Sequence, residues 1–430
     1  MRRKGDHVTR RSTRPKSWRL QLGGARRLVG TLLLGVCFMP HHAAVASEGV
    51  PLALAVSAPA VTVDGLIAKG QALKSNGQLS AAIRLFRDAL QVDPDALVAR
   101  RELSHALILS GAFSAARFQL DILLRSDPSG EMRTAYRRVI RQIDRDQPVG
   151  VTGEFAVLPS SNVNSGTTNT DFEGGTIDPN SQQKSGVGVL IGISGYLRED
   201  VGPNARVRLT WGLSKIAYTD AIFNSTGTRF ALSYEHQHAQ GRWAVGAHYA
   251  QTLREDDASY RARGGRIALD QGVSDTLKLG MSALTEQRVY PSQPYNTGRF
   301  SQFDLQMSYT ATPSLMMSVG IGAQVSSPLA DNFRYTGYTV TTTVAKEWRG
   351  GLQTRASLQG GTRIYDAAFA VGSPARRDHF GKLSVGVQHS DIDVMGFTPR
   401  LSCSQTLNRS NIAFYDYART ECQASISKNF

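Results

Sequence analysis

The sequence predicts an N-terminal α-helical repeat module followed by a C-terminal transmembrane antiparallel β-barrel of about 14 strands. Residues 63–147 carry a helical repeat, and residues 150–430 alternate with the period of two that is typical of strands. In addition, the connections between the alternating segments are mostly short and long in turn, which is the usual pattern of outer-membrane barrels. These three observations define the two modules.

The N-terminal segment has the pattern of a secretory signal peptide. A basic stretch from Arg2 to Arg27 precedes an apolar core from Leu28 to Met39, and Ala44–Ala46 provides a small-x-small cleavage site. The core is shorter than the roughly 20 residues that cross a bilayer as a helix. We therefore expect a signal peptide at residues 1–46 and a linker at residues 47–62.

The formal net charge of +14 is concentrated in that same segment. Residues 1–46 hold ten Lys/Arg and one Asp, so the rest of the chain carries about +5. No basic stripe interleaved with aromatic residues follows, and we expect no nucleic-acid partner.

A repeat of 34 residues runs through residues 63–147. Small residues recur where two helices would cross, apolar residues recur on the faces between them, and a proline follows each second helix. The equivalent pairs include Gly70 with Ser104, Ala82 with Ala116, Phe86 with Leu120, and Pro94 with Pro128. This pattern resembles tetratricopeptide repeats, which bind proteins or peptides in a concave groove.

A third helix, roughly Glu131 to Asp144, is expected to cap the two repeats. Its basic face holds Arg133, Arg137, Arg138, Arg141 and Arg145. That face is either a solvated cap or a contact for an acidic client protein or for lipid headgroups. The candidate client-binding residues of the helical module are Leu73, Phe86, Leu107, Phe113, Arg137 and Arg141.

Fourteen alternating segments are predicted as barrel strands, an even number as in closed single-chain bacterial barrels. They are 150–159, 185–198, 204–218, 228–239, 241–253, 258–270, 275–289, 298–310, 313–326, 334–347, 351–364, 378–390, 393–407 and 413–430. Because strand bounds from sequence are uncertain by several residues, twelve or sixteen strands remain open. An even count places both barrel termini on the periplasmic side, beside the helical module.

Parity assigns the two faces of the predicted strands. Phe230 and Trp243 would face lipid, whereas Glu235 and His248 would face a polar lumen. His236 and His238 fall on the outward parity, so they cannot converge with His248 on one ion. We therefore expect no metal site, and separately we expect no cofactor.

Two cysteines follow the signal segment, and both fall on the outward parity of the last two strands. Pairing Cys403 with Cys422 would centre the turn between Ile412 and Ala413. The polar run from Asn408 to Asn411 is expected to be the loop instead, and it would offset the two sulfurs. A disulfide and a pair of free thiols therefore both remain open.

With both modules in place, the chain resembles the surface lipoprotein assembly modifier family, also called type XI secretion. The segment that looks like the family's passage into its first strand and loop is Leu158 to Asn164, with Pro159, Ser160, Ser161, Asn162 and Asn164, followed by Thr167 and Thr168. The segment that looks like the family's last strand runs from Ser410 to Tyr417, with Asn411, Phe414, Tyr415 and Tyr417, followed by Arg419 and the terminal Phe430.

The resemblance implies an outer-membrane protein that delivers client proteins from the periplasm to the cell surface. The clients would be surface lipoproteins or secreted metal- or haem-capture proteins. The helical module would engage the client, and the barrel would carry or gate it. Outer-membrane lipid and the barrel-assembly machinery would be further partners.

Two other transport functions and an enzymatic function compete with this interpretation. An exopolysaccharide export porin also joins helical repeats to a barrel but carries many more repeats, and a passive porin or nutrient channel needs no client. An enzyme is disfavoured because the chain has no G-x-S-x-G, H-E-x-x-H or phosphate-binding-loop motif.

Overall fold

The computed structural model describes residues 62–172, 175–179, 181–238, 240–368, 372–389, 392 and 397–429. The expected signal peptide, nearly all of the expected linker, and Phe430 lie outside these residues. Within the part of the chain that is described, no helix is long and apolar enough to cross a membrane.

Five helices form the N-terminal module: α1 (Val63–Ser75), α2 (Leu79–Val92), α3 (Leu97–Leu109), α4 (Phe113–Ser126) and α5 (Gly130–Asp146). The first begins after Thr62, whose hydroxyl accepts a hydrogen bond from the Gly65 amide. The turns inside the two helix pairs hold Gly77 and Gly111, 34 residues apart, with φ of 74° and 77°. Glycine adopts this left-handed backbone without a Cβ penalty, so the period marks equivalent turns.

The core of the module lies between the helix pairs. Ala82 and Ala116 are fully buried at equivalent positions, and Phe86 packs so close to Gly70 that a Cβ there would lie 2.6 Å from the ring. The last helix adds Tyr136, Ile140 and Ile143 to the same core. Two predicted helix pairs and a capping helix are therefore present.

Fourteen strands close into an antiparallel barrel, as the alternation predicts. They are β1 (Val149–Ser160), β4 (Gly186–Gly202), β5 (Ala205–Tyr218), β6 (Ser225–His238), β7 (Gly241–Arg254), β8 (Tyr260–Gly272), β9 (Leu277–Val289), β10 (Gly298–Thr312), β11 (Leu315–Pro328), β12 (Tyr335–Glu347), β13 (Leu352–Ala368), β14 (Ala375–His389), β15 (Thr398–Ser410) and β16 (Tyr417–Asn429). Between β1 and β4, the two-residue strands β2 (Asp171–Phe172) and β3 (Gly175–Thr176) form a separate hairpin. The barrel closes where β1 pairs with β16, for example Phe155 opposite Ile426.

The strands alternate between an apolar exterior and a polar interior. Phe230 and Trp243 are exposed on the outside, while Glu235 is buried on the inside. His236 stacks on Trp243 outside, with 5.5 Å between ring centroids, whereas His248 bonds Glu286 inside at 2.7 Å. The two histidines therefore lie on opposite faces of the wall.

One predicted connection is wrong. Asn408 pairs with Tyr417 inside the strand ladder, and β15 continues to Ser410. The connection contains the short 3-10 helix Ala413–Tyr415 instead. Asn408 remains in the strand although it is polar, because its buried side chain donates a hydrogen bond to the Tyr415 carbonyl at 2.8 Å.

Candidate functional site

The helical module lies across one end of the barrel, which we call the helical end. Three hairpin turns of the rim contact it, namely β8–β9, β10–β11 and β12–β13. The contacts are Arg133 Nη2 to Asp275 Oδ1 at 2.6 Å, the Ser314 amide to Asp95 Oδ1 at 2.8 Å, and the Gly350 amide to the Gln91 carbonyl at 2.8 Å. Strands β4 and β5, about halfway round the barrel from β12, also contact the module. Contacts on opposite sides of the rim mean that the module spans the opening.

The contact with β4 and β5 is centred on Asp144 of α5. Its carboxylate lies 2.8 Å from Arg198 Nη1 and 2.8 Å from Arg206 Nη1, and it also bonds Arg117 of α4. Asp144 is only 4% exposed. A buried carboxylate requires ion pairs and hydrogen bonds to offset its lost hydration, and three guanidiniums supply them.

Arg100 of α3 makes the matching contact on the other side of the opening. Its side chain is fully buried, and its guanidinium donates to Glu347 on β12 at 2.9 Å. It also donates to Gln119 and to the Pro94 carbonyl, both at 2.7 Å. Arg100 therefore ties the second helix pair, and the loop that precedes it, to the barrel rim.

Between α4, α5 and the inner wall of the barrel lies a cavity of about 810 Å³, which we call the basic chamber. Its walls carry five cations for which the described residues show no ion pair. They are Arg125, Arg137 and Arg141 from the helices and Arg208 and Lys278 from the barrel. Two chamber carboxylates are already engaged, Asp144 with Arg206 and Asp270 with Arg242, both at 2.8 Å. Asp121 also lines the chamber, but the five cations outnumber it. The chamber is therefore suited to an anionic ligand.

The chamber holds these cations at an electrostatic cost. Burial lowers the pKa of the Arg137 guanidinium, and the neighbouring charges of Arg133 and Arg141 lower it further. Burial also lowers the pKa of Arg125, against the opposing effect of Asp121. Because an arginine keeps its proton, an anion in the chamber would relieve this repulsion.

The six helical residues predicted to contact a client do not share one surface. Arg137 and Arg141 line the basic chamber, which settles the orientation of part of the basic face of α5. Leu107 and Phe113 line a second cavity of about 780 Å³ between the helices and the barrel rim, although Leu107 is only 3% exposed. Leu73 is half-buried and packs against the helical core.

The assignment of Phe86 to a client-binding groove is wrong. Phe86 is 0% exposed and fills the space beside Gly70. The Phe86 ring packs at the helix crossing, at the position that Leu120 occupies in the second repeat. Phe86 therefore stabilises the module and is unavailable to a client.

At the opposite end of the barrel, the segment that resembles the family's first loop folds back onto β16. Asn162 is 0% exposed, and its amide donates to the Gly166 carbonyl at 2.9 Å and the Ala418 carbonyl at 3.1 Å. Asn164 donates to the Gln182 carbonyl at 2.7 Å. Asn162 is therefore a buried structural element that holds the loop against β16.

Ser161 of this segment also contacts the last hairpin. Its backbone amide donates to the Thr420 carbonyl at 2.9 Å, which fastens the beginning of the loop at the seam between β1 and β16. Ser160 bonds within the segment, where its hydroxyl accepts from the Asn162 backbone amide at 3.2 Å. Pro159 remains within β1 opposite Val187 of β4.

The residues expected on the last strand divide between the strand and its preceding turn. Tyr417 and Arg419 lie on β16, and Arg419 donates to the Ser165 hydroxyl at 3.0 Å. Asn411, Phe414 and Tyr415 precede the strand, so their assignment to it is wrong. Tyr415 instead stacks beneath the Arg376 guanidinium, 3.2 Å from the ring centroid.

Cys403 and Cys422 lie directly opposite each other on β15 and β16. Their sulfurs are joined, with 4.0 Å between the Cα atoms. The turn that permits this register is the one centred between Ile412 and Ala413, not the polar run before it.

The sequence did not single out the residues that dock the module, Asp144 with Arg198 and Arg206. Nothing in their local pattern separates them from other charged residues near strand and helix ends. The alternating charges at residues 141–146 indicate that ion pairs could form there, but they do not show which barrel residues would be the partners.

Comparison with known proteins identifies both modules. Residues 151–430 match the family model described as surface lipoprotein assembly modifier, and residues 73–139 match a tetratricopeptide repeat model. A solved barrel, Salmonella typhi OmpF, aligns with a TM-score of 0.40 and 8% identity, over 66% of this chain and 97% of that chain.

Curated relatives align along most of the chain. Surface lipoprotein assembly modifier 1 of Haemophilus influenzae is 20% identical, over 83% of this chain and 76% of the relative. The Moraxella catarrhalis surface lipoprotein assembly modifier is 24% identical, over 84% of this chain and 72% of the relative. A closed barrel with an apolar exterior is an outer-membrane architecture. With its barrel matched over residues 151–430, the chain belongs to the surface lipoprotein assembly modifier family.

Proposed function

We propose that this chain is an outer-membrane translocator that delivers particular client proteins, surface lipoproteins among them, from the periplasm to the cell surface. The observation that carries the proposal is the basic chamber, which is lined jointly by the helical module and the inner wall of the barrel. A segment of a client held there would contact both modules at once and would already lie at the opening of the lumen.

The helical end faces the periplasm in this proposal. The module is held across the opening by the ion pairs and hydrogen bonds of Asp144, Arg100 and Arg133. When the module moves away, both partners of each buried pair regain hydration, and this offsets much of the attraction that is lost. Folding of the client outside the cell would then oppose its return.

The same arrangement disfavours a passive porin. A module that spans the opening obstructs free diffusion of solutes, and a constantly open channel has no use for such an obstruction. A polysaccharide exporter remains the alternative in which a basic chamber would bind acidic sugars instead of protein. We propose no enzymatic activity for this chain.

Surface display tests the proposal. The chain is expressed with the exported protein encoded beside it, and intact cells are probed with antibody or protease. We expect display that depends on the chain and is lost when residues 63–147 are deleted while heat-modifiable mobility shows an assembled barrel. Display that is equal with and without the chain would refute the translocator and favour the porin alternatives, to be tested by sugar or polysaccharide flux.

A further inference from the structure

We propose that the outer surface of β8–β10 binds the phosphate groups of an anionic lipid in the outer leaflet, through Arg261, Arg263 and Arg299. These three arginines, which we call the arginine patch, lie near the barrel end opposite to the helices. The inference needs no client and is independent of translocation.

The strand register brings the three side chains together. Arg263 is opposite Gln287 on β9, and Gln287 is opposite Arg299 on β10. Neighbouring strands are about 4.8 Å apart, so the Cα atoms of Arg263 and Arg299 are separated by about 10 Å. Arg261 is two residues from Arg263 and therefore shares its face.

That face is the barrel exterior. Ile267 lies four residues from Arg263 and Phe303 lies four residues from Arg299, in both cases towards the helical end and on the same face. Their side chains are 60% and 42% exposed. The neighbours of opposite parity, Ala262 and Phe300, are buried in the interior. The arginines therefore project outwards, about 13 Å along the strands from apolar side chains that contact the lipid chains.

Among the residues that the structure describes, no partner neutralises the patch. Across the described residues, the guanidiniums of Arg261, Arg263 and Arg299 make no ion pair and no side-chain hydrogen bond. By contrast Arg409, which is also outward at this end, lies 3.4 Å from the Asp416 carboxylate. A charge on the lipid face is costly near the bilayer midplane and tolerated near the headgroups, where an anion can pair with it.

The local chemistry fits a phosphorylated lipid. Guanidinium presents a planar fork of donors that matches phosphate oxygens, and the Gln287 amide between the two strands adds further donors. Tyr249, opposite Arg263 on β7, is exposed and of the residue type enriched at membrane interfaces. The apolar surface at Ile267 and Phe303 would contact the acyl chains, which free phosphate lacks.

Lipid binding to the purified full chain tests the inference. Detergent-solubilised protein is titrated with bis-phosphorylated lipid A and, separately, with the same lipid after enzymatic removal of its phosphates. We expect the dephosphorylated lipid to bind much more weakly. The R261Q/R263Q/R299Q variant should lose roughly fivefold in affinity for the phosphorylated lipid per arginine. R409Q is the matched control, because its arginine already has a carboxylate partner, and it should bind like the unaltered chain.

Equal binding of the two lipids by the unaltered chain would overturn the inference, and so would an equal loss in R409Q and the triple variant. Inorganic phosphate that competes as strongly as the lipid would also overturn it. The comparison of the two lipids uses the unaltered chain. It therefore still tests the inference if the triple variant fails to assemble.

Discussion

Asp144 of the last helix and Arg206 of the barrel wall form a buried ion pair, with 2.8 Å between Oδ2 and Nη1. This pair joins two modules that the chain connects through only Gln147 and Pro148. Because Arg198 and Arg117 share the same carboxylate, one residue of α5 fixes the position of the helical module relative to β4 and β5.

Replacing Asp144 with Asn should release α5 from the barrel. The change removes the negative charge and leaves three guanidiniums facing one another, and breaking a buried ion pair in this way costs about 3–5 kcal/mol. We expect faster hydrogen–deuterium exchange throughout α5 and at β4–β5, with the barrel still assembled. Asp146 is exposed on the same helix, so D146N is the control and should exchange like the unaltered chain. Unchanged exchange in D144N would contradict the docking role of this pair.

Two arginines of the basic chamber should matter for client display. The R137Q/R141Q variant keeps helix-forming side chains but removes two unpaired cations from the chamber wall. If each contacts an anionic client group, the variant should lower surface display by about tenfold or more. Arg138 and Arg145 lie on the same helix outside the chamber and are exposed, so R138Q/R145Q provides a matched loss of charge. Equal display in the two variants would exclude a specific role for the chamber.

The fold could largely be predicted from the sequence because its periods have direct physical causes. Lipid outside and a polar lumen inside impose a period of two on every strand, and helix pairs packed through Ala82 and Ala116 impose the 34-residue period. The docking of the module could not be predicted, since an ion pair such as Asp144 with Arg206 has no period. The burial of Asn162 could not be predicted either, because a polar run indicates a loop but not the surface against which that loop packs.

The disulfide between Cys403 and Cys422 should stabilise the last hairpin without being required for its formation. The strand ladder from Leu401 to Asn408 pairs this hairpin independently of the sulfurs. The cysteines are 19 residues apart, and closing a loop of this size in the unfolded chain is worth about 3 kcal/mol. Reductant should lower the free energy of unfolding in urea by about this amount.

The C403S/C422S variant supplies the control for that measurement. It should assemble, unfold at a lower urea concentration than the oxidised parent, and show no response to reductant. Peptide mass spectrometry without reduction should yield one linked peptide from the parent. Two separate free-thiol peptides would contradict the disulfide.

Replacing Asn162 and Asn164 with Ala should loosen the first long loop while leaving the barrel assembled. Asn162 bridges Gly166 and the Ala418 carbonyl of β16, so its loss leaves buried backbone groups unpaired at about 1–3 kcal/mol each. We expect faster proteolysis within residues 160–184 and weaker client display. T170A is the control, because this exposed threonine bonds the neighbouring Asp171 and does not fasten the loop to β16.

The two readouts of the Asn162 and Asn164 variant separate a structural role from client contact. If proteolysis becomes faster and display is reduced, the result indicates that translocation needs an ordered loop. Reduced display with an unchanged proteolysis rate would instead assign the side chains to client contact, which the burial of Asn162 argues against. Unchanged display despite a loosened loop would show that delivery of the client needs neither these two side chains nor the order that they give the loop.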